Sequence, residues 1–180
     1  DAATRARWAA EQQSLHRQLR TEDDPQIAAL VASLGAADGR KWNVAGLDIS
    51  FVKDNDVDAV ASVVVVELPT LRRVCAVHEQ IQLEEPYIPG FLAFREAPHY
   101  ARLLQRLARE HPDDVPVVVL VDGNGVLHPR GFGCASHIGV LAGIPTVGIA
   151  KDLQLVDGLE KADIRKLCVA SQLKHGQSVP

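Results

Sequence analysis

Val118 to Gly133 reads VVLVDGNGVLHPRGFG, and the fold turns on how that stretch is understood. Four apolar residues that belong in a core run without a break into Asp122, and glycines, His128 and Arg130 follow at once. A short apolar run bounded by turn residues is the pattern of a parallel strand covered on both faces. The stretch therefore predicts a buried strand that ends at a carboxylate, followed by a loop with little side-chain bulk.

On its amino side, HYARLLQRLAREHP (99–112) places Tyr100, Leu103, Leu104, Leu107 and Ala108 on one helical face, with Pro98 suited to the first turn and Pro112 to the stop. On its carboxyl side, CASHIGVLAG (134–143) predicts a helix and IPTVGIA (144–150) a second buried strand, completing a βαβ unit. Earlier still, WNVAGLDISFV (42–52), VDAVASVVVVEL (57–68) and LRRVCAVHEQIQL (71–83) read as strands joined by KDND and PT. Connections this short force antiparallel neighbours. A right-handed crossover then sets the fourth strand beside the first and parallel to it, with the fifth outside. The expected fold is a mixed α/β sheet in the order 3-2-1-4-5, flanked by helices.

The remaining segments attach to this sheet core of 42–151. Residues 1–35 predict two helices: one with Trp8, Leu15 and Leu19 at helical spacing and loosely packed, and one that starts at Asp24-Pro25 and ends near Gly35. At 180 residues and 47% hydrophobic, the chain has enough length for one domain with a real core. Its net charge of −4 spreads no basic field, so any nucleic-acid affinity must be local. Cys75, Cys134 and Cys168 are odd in number, lack CxxC spacing and have no zinc-type histidine ladder, which suits reduced, mostly buried thiols of an intracellular protein. There is no apolar run of about 18 residues and no signal-peptide core at the start, so no membrane association is expected.

The predicted topology brings acids together. Asp48 interrupts the apolar first strand, and Asp122 closes the fourth. Adjacent parallel strands point both into the crevice at their carboxyl ends, where α/β proteins bind ligands. Glu96, placed in the turn that enters the long helix, reaches the same crevice. Carboxylates so gathered repel one another, and a hard divalent cation such as Mg²⁺ is the natural counter-charge. Taken singly, each has an ordinary reading: a paired strand acid, an Asp-Gly turn, a solvated helix-start glutamate. Asp54, Asp56 and Asp58 imitate a calcium loop, but Ala59 and Val65 stand where that loop needs Gly and Glu, so a polar hairpin turn is expected.

GLDISFV around Asp48, PYIPGFLAFRE (86–96), LVDGNGVLHPRGFGCASHIGVL (120–141) and VGIAK ending at Lys151 together resemble the endonuclease V family, in the family's order and in the wording of its eukaryotic branch. The resemblance implies an RNase H-like fold, in agreement with the order 3-2-1-4-5. It also implies a nuclease using Mg²⁺, with Mn²⁺ as a substitute, that recognises inosine in single-stranded RNA or deaminated DNA and cuts the second phosphodiester bond on the 3′ side. Carried over, Asp48, Asp122 and Glu96 hold the metal, and Lys151 orients the nucleophile or neutralises phosphate. Pro86, Tyr87, Ile88 and Pro89 form a stiff wedge whose ring stacks in place of an extruded base. Gly90, Leu92, Gly123 and Gly148 line a pocket for hypoxanthine. His128 and Arg130 contact phosphate, and His137 lies beside the site. The location implied is cytoplasm and nucleus, including the nucleolus.

Similarity to the family also implies elements after residue 151 that are not recognisable here, so the segment 152–180 is expected to be incomplete, with apolar surface open to dimerisation. A binding module for inosine or RNA with impaired catalysis is the alternative expectation. A phosphate loop of the actin or sugar-kinase kind is set aside, because no second phosphate loop or adenosine motif accompanies VVLVDGNG.

Overall fold

The structure, a computed structural model, describes residues 2–34, 39–151, 158 and 160–170. The region near Gly35, most of the segment 152–180 and the Cys168 side chain lie outside the described residues. Five strands form one sheet in the predicted order β3-β2-β1-β4-β5. β1 (Trp42–Phe51), β2 (Asp58–Leu68) and β3 (Arg72–Gln82) are an antiparallel meander. The β1–β2 hairpin turns where the Asn55 side-chain oxygen accepts from the amides of Val57 and Asp58, at 2.8 and 2.9 Å. β4 (Val118–Asp122) pairs with β1 in parallel, and β5 (Thr146–Ile149) pairs with β4 in parallel.

Alternation decides which face is covered. Ala59, Ala61, Val63 and Val65 of β2 all turn inward and are buried beneath α3 (Leu92–Glu110). α3 answers with Ala97, Tyr100, Leu103, Leu104 and Leu107, and α4 (Cys134–Ala142) adds Cys134, Ala135 and Ile138 to the same core. Ala108, expected on that face, is exposed, since the buried stripe of α3 ends at Leu107. On the opposite face, α2 (Pro25–Ser33), capped by the Asp24 carboxylate at 2.8 Å from the Gln26 amide, covers Val44 and Val118 with Leu30. The expected double burial of β4 holds for only part of its length. Leu120, Val147 and Ile149 are exposed, since among the described residues the cover that α2 gives to this face reaches Val118 and goes no farther along β4 or onto β5.

Two expectations about the helices change. α3 begins at Leu92, so Pro98 sits inside it rather than in its first turn. The missing amide is tolerated because Pro98 faces solvent and the added turns bury Ala93 and Ala97 and stack Phe94 on Trp8, ring centroids 5.0 Å apart. α1 (Ala2–His16) is not loosely packed: Trp8 and Gln12, one turn apart, are both buried. α5 (Lys161–Ala170) is the last described element.

Leu103 is fully buried between the helix and the sheet, so Leu103→Ala is expected to destabilise the chain by about 2–5 kcal/mol in urea titration, with the denaturant slope unchanged.

Candidate functional site

Parallel pairing of Val44–Leu47 with Val118–Val121 leads Asp48 and Asp122 out of the ladder at the same end of the sheet. Both side chains are exposed there, so Asp48 is not the buried charge its apolar neighbours suggested; it stands where the strand runs out of cover. The Ser50 hydroxyl donates to its carboxylate at 2.9 Å. Lys151, directly beyond β5, places Nζ 2.7 Å from Asp122 Oδ2. Asp122 pairs with Ile149 across the ladder, so two further residues bring the lysine back over the acid.

Glu96 comes from α3, not from a turn before it. Its pKa is pushed up to about 7, first by burial, with Asp122 and Asp48 adding to the rise and Arg95 opposing it. Cys134 beneath the same place is pushed up to about 12 by burial and then by Glu96 and Asp122. Tyr100 is raised by burial first, and then by Glu96, Cys134, Asp48 and Asp122. Helix groups under the sheet end therefore register one shared negative field. The three carboxylates do not form a closed ligand set, since among the described residues only another cluster has three donor atoms within 4.8 Å of one another. As hard oxygen donors on an open, negatively charged edge, they suit Mg²⁺ with retained water better than a fully protein-built cage. Arg95 is held elsewhere, donating to the carbonyls of Glu85, at 3.2 Å, and Asp56.

The wedge loop divides between surface and core. Tyr87 is 63% exposed, while Ile88 beside it is buried against Trp8 and Phe91. Pro86 and Pro89 flank this pair and are exposed. Ile88 is thus the anchor that lets Tyr87 project. Gly90, with a positive φ of 81°, turns its carbonyl toward Arg130, whose Nη2 donates to it. A hydrogen bond to the same backbone holds the buried His128, whose pKa is lowered by burial and by Arg130. His128 Nδ1 accepts the Arg130 amide at 3.2 Å. Both residues expected at a phosphate are thus occupied in clasping the wedge loop. His137 is buried between Phe94 and Phe132, its pKa pushed down to about 4 by burial, and among the described residues its Nδ1 has no hydrogen-bond partner. It is a neutral packed ring, not a solvent-facing base.

The glycines of the expected purine pocket have another use. A Cβ on Gly148 would lie 2.5 Å from the Gly123 carbonyl oxygen, and one on Gly133 would lie 2.2 Å from the Asn124 oxygen. The close approach is of the chain to itself. Gly123 and Gly148 therefore touch each other, whereas Gly90 and Leu92 belong to the wedge side. A cavity of about 460 Å³ opens beside Asp122 and Lys151, lined by Gly46, Leu47, Leu120 and Ile149. A larger hollow of about 650 Å³, between Val52, Asp58, His99 and Arg102, contains none of the site residues.

A family model described as Endonuclease V matches residues 26–179. The chain belongs to the endonuclease V family. It is 49% identical over 137 residues to the endonuclease V of Mus musculus, covering 76% of this chain and 40% of that one. With the Homo sapiens protein, identity is 48% over 137 residues, covering 76% and 49%. The chain thus spans less than half the length of these two curated relatives. It superposes on the catalytic domain of human endonuclease V with a TM-score of 0.85 at 40% identity, covering 100% of this chain and 71% of that one. Ciona intestinalis endonuclease V, crystallised with a 24mer DNA containing an inosine followed by a ribo-adenosine, superposes with a TM-score of 0.80 at 31% identity, covering 96% of this chain and 68% of that one.

Gln12 is the residue that sequence reasoning missed. It lies in α1, ahead of the residues matched to the family, and is buried. Its Nε2 donates to the Phe132 carbonyl at 2.6 Å and its Oε1 accepts from Arg130 Nε. The one signal available was position: Gln12 follows Trp8 by four residues, on the same helical face.

Two measurements check this account. Gln12→Ala removes a buried partner from the Arg130 guanidinium and the Phe132 carbonyl, and is expected to cost about 1–3 kcal/mol in chemical denaturation. Glu96 is raised from 4.5 to about 7, so its protonated form favours folding below the unfolded pKa and that contribution disappears as pH rises through 7. Glu96→Gln is expected to match the parent at pH 4 and to melt higher at pH 8 without divalent ions, by up to about 3 kcal/mol.

Proposed function

We propose that the chain is the catalytic core of a metal-dependent endonuclease that recognises inosine in single-stranded RNA, or deaminated adenine in DNA, and hydrolyses the second phosphodiester bond on the 3′ side. The observation that carries this reading is the meeting of Asp48, Glu96 and Asp122, from three separate elements, at the sheet end where Lys151 covers Asp122. Asp48 and Asp122 hold Mg²⁺, with Mn²⁺ as a substitute, and Glu96 joins directly or through water. When bound, the ion polarises a phosphate oxygen and lowers the pKa of a water.

The chain's own side chains do the rest. Glu96, whose pKa is pushed up to about 7 in the metal-free chain, is held in its charged form by the ion and enters the site as a carboxylate able to hold the metal or a water bound to it. Lys151, paired with Asp122 in the free chain, offers its ammonium to the phosphate that enters. Its pKa is raised by the hydrogen bond to Asp122, which keeps it charged. Tyr87, projecting from a loop pinned by Ile88 below and by Arg130 and His128 at Gly90, supplies a preorganised ring for stacking in the gap left by an extruded base. His128 and Arg130 act as positioning residues for that loop. Of the expected pocket residues, the half-buried Gly123 and Leu92 are left to meet the purine edge.

The test is cleavage of matched single strands of RNA and DNA, with and without one inosine, in Mg²⁺. Cutting one bond beyond the inosine's own 3′ linkage is expected. Partners one step removed from a metal ligand already cost about 10–100-fold when mutated, so Asp48→Ala and Asp122→Ala are expected to lose more than that. Tight binding of the inosine strand with no product, unchanged by either substitution, would instead identify a binding module. Equal cutting of strands without inosine would remove the purine pocket.

A further inference from the structure

Among the described residues, one group of three metal-capable donors closes tightly, and it lies away from the carboxylate edge: Sγ of Cys75, a ring nitrogen of His111 and a carboxylate oxygen of Asp114 are all within 4.8 Å of one another. We propose that these three side chains form a second cation site, for a borderline-soft transition ion of the Zn²⁺ type.

The donor set decides the class of ion. Sulfur, imidazole and one carboxylate match Zn²⁺ and its neighbours, and a thiolate is a poor ligand for Mg²⁺ or Ca²⁺. The spacing fits as well. His111 Nδ1 and Asp114 Oδ2 are 3.8 Å apart, too far for a good hydrogen bond. With metal–ligand bonds of about 2.0–2.2 Å, a tetrahedral edge measures roughly 3.3–3.6 Å, so the His111–Asp114 pair closes on an ion with only a small shift, and the Cys75 sulfur lies within 4.8 Å of both donors.

The backbone holds the donors in place without an ion. His111 caps α3 with its amide on the Leu107 carbonyl at 2.7 Å, and the Asp114 amide returns to the His111 carbonyl at 3.0 Å, closing the 3₁₀ turn Pro112–Asp114. Cys75 lies opposite Val65 at the irregularity of the β2–β3 ladder, on the edge strand. Its rung, Cys75–Val65–Ala45–Val119, is three residues from the rung of Asp48, toward the start of β4. The side chains of His111 and Asp114 are 38% and 34% exposed, which leaves room for water as the fourth ligand. Burial and the Asp114 carboxylate raise the Cys75 thiol, so the free chain carries S–H. Binding forms the metal–sulfur bond as that proton leaves to solvent, with no change of oxidation state. The bound ion ties edge strand β3 to the end of α3.

Co²⁺, a spectroscopic stand-in for Zn²⁺, tests the site in the metal-stripped full chain with Mg²⁺ in excess. One equivalent is expected to produce thiolate-to-cobalt charge-transfer absorption that Zn²⁺ abolishes. Cys75→Ser is expected to remove it, His111→Gln and Asp114→Asn to weaken Co²⁺ binding at least about 10-fold, and Asp122→Ala to leave it intact. No such absorption in the parent, or its survival in Cys75→Ser, overturns the proposal. Circular dichroism reports whether each variant is folded. If Cys75→Ser does not fold, parent-like Co²⁺ affinity in both His111→Gln and Asp114→Asn overturns it equally.

Discussion

Parallel pairing joins β1 to β4 from Val44–Val118 to Leu47–Val121, and everything at the site follows from where that pairing stops. Asp48 and Asp122 are the next residues on their strands, so backbone geometry alone delivers two like charges to one edge. A third strand in register then brings Lys151 within 2.7 Å of Asp122. The ammonium offsets one acid. It acts more weakly on Asp48, while Glu96, Tyr100 and Cys134 still register a net negative field. A sheet end with this much unbalanced charge is less stable than a neutral one, and such imbalance is characteristic of a place built to receive a cation.

Rigidity nearby comes from a different source. Gln12, Arg130, His128 and the Gly90 carbonyl link α1, the wedge loop and the loop after β4, with the Arg130 guanidinium resting 4.1 Å from the Phe91 ring centroid. Buried polar groups are costly unless each donor and acceptor is met, and here the buried Gln12 amide is met on both sides, by the Phe132 carbonyl and by the Arg130 guanidinium, which itself reaches the surface. The result is an exposed tyrosine on an immobile base. Preorganisation of this kind removes the ordering cost that a flexible stacking residue incurs on binding.

How much of this was legible depended on the range of the interaction concerned. Strand order followed from connection lengths and crossover handedness, and the arrival of Asp48 and Asp122 at one sheet end followed from strand order, because both are consequences of local chain geometry. The start of α3 was misplaced because Pro98 reads as a first-turn residue, and nothing local announces that Trp8, some ninety positions earlier, repays an earlier start by stacking on Phe94. The phosphate role of His128 and Arg130 came from the family resemblance alone, and no local signal announces that a carbonyl from the wedge loop meets the same two side chains. Cys75, His111 and Asp114 were invisible for a similar reason. Zinc signatures rely on ligands close in sequence, and here the sulfur arrives from another strand.

The glycines that follow Asp122 now have a physical explanation. Their bareness serves the protein's own packing before any ligand's. The Gly133 amide donates to the Gly125 carbonyl at 2.8 Å and the Ala135 amide to the Asn124 carbonyl at 3.0 Å, which folds the loop back against the start of α4. Gly148 of β5 presses on the same segment from the other side, at distances that exclude any side chain. Held between helix and strand, the backbone after Asp122 has no freedom to let the acid swing away from its neighbours. A loop that looks permissive in sequence is thereby among the most constrained parts of the fold, and that constraint keeps Asp122 at the sheet end it shares with Asp48 despite their repulsion.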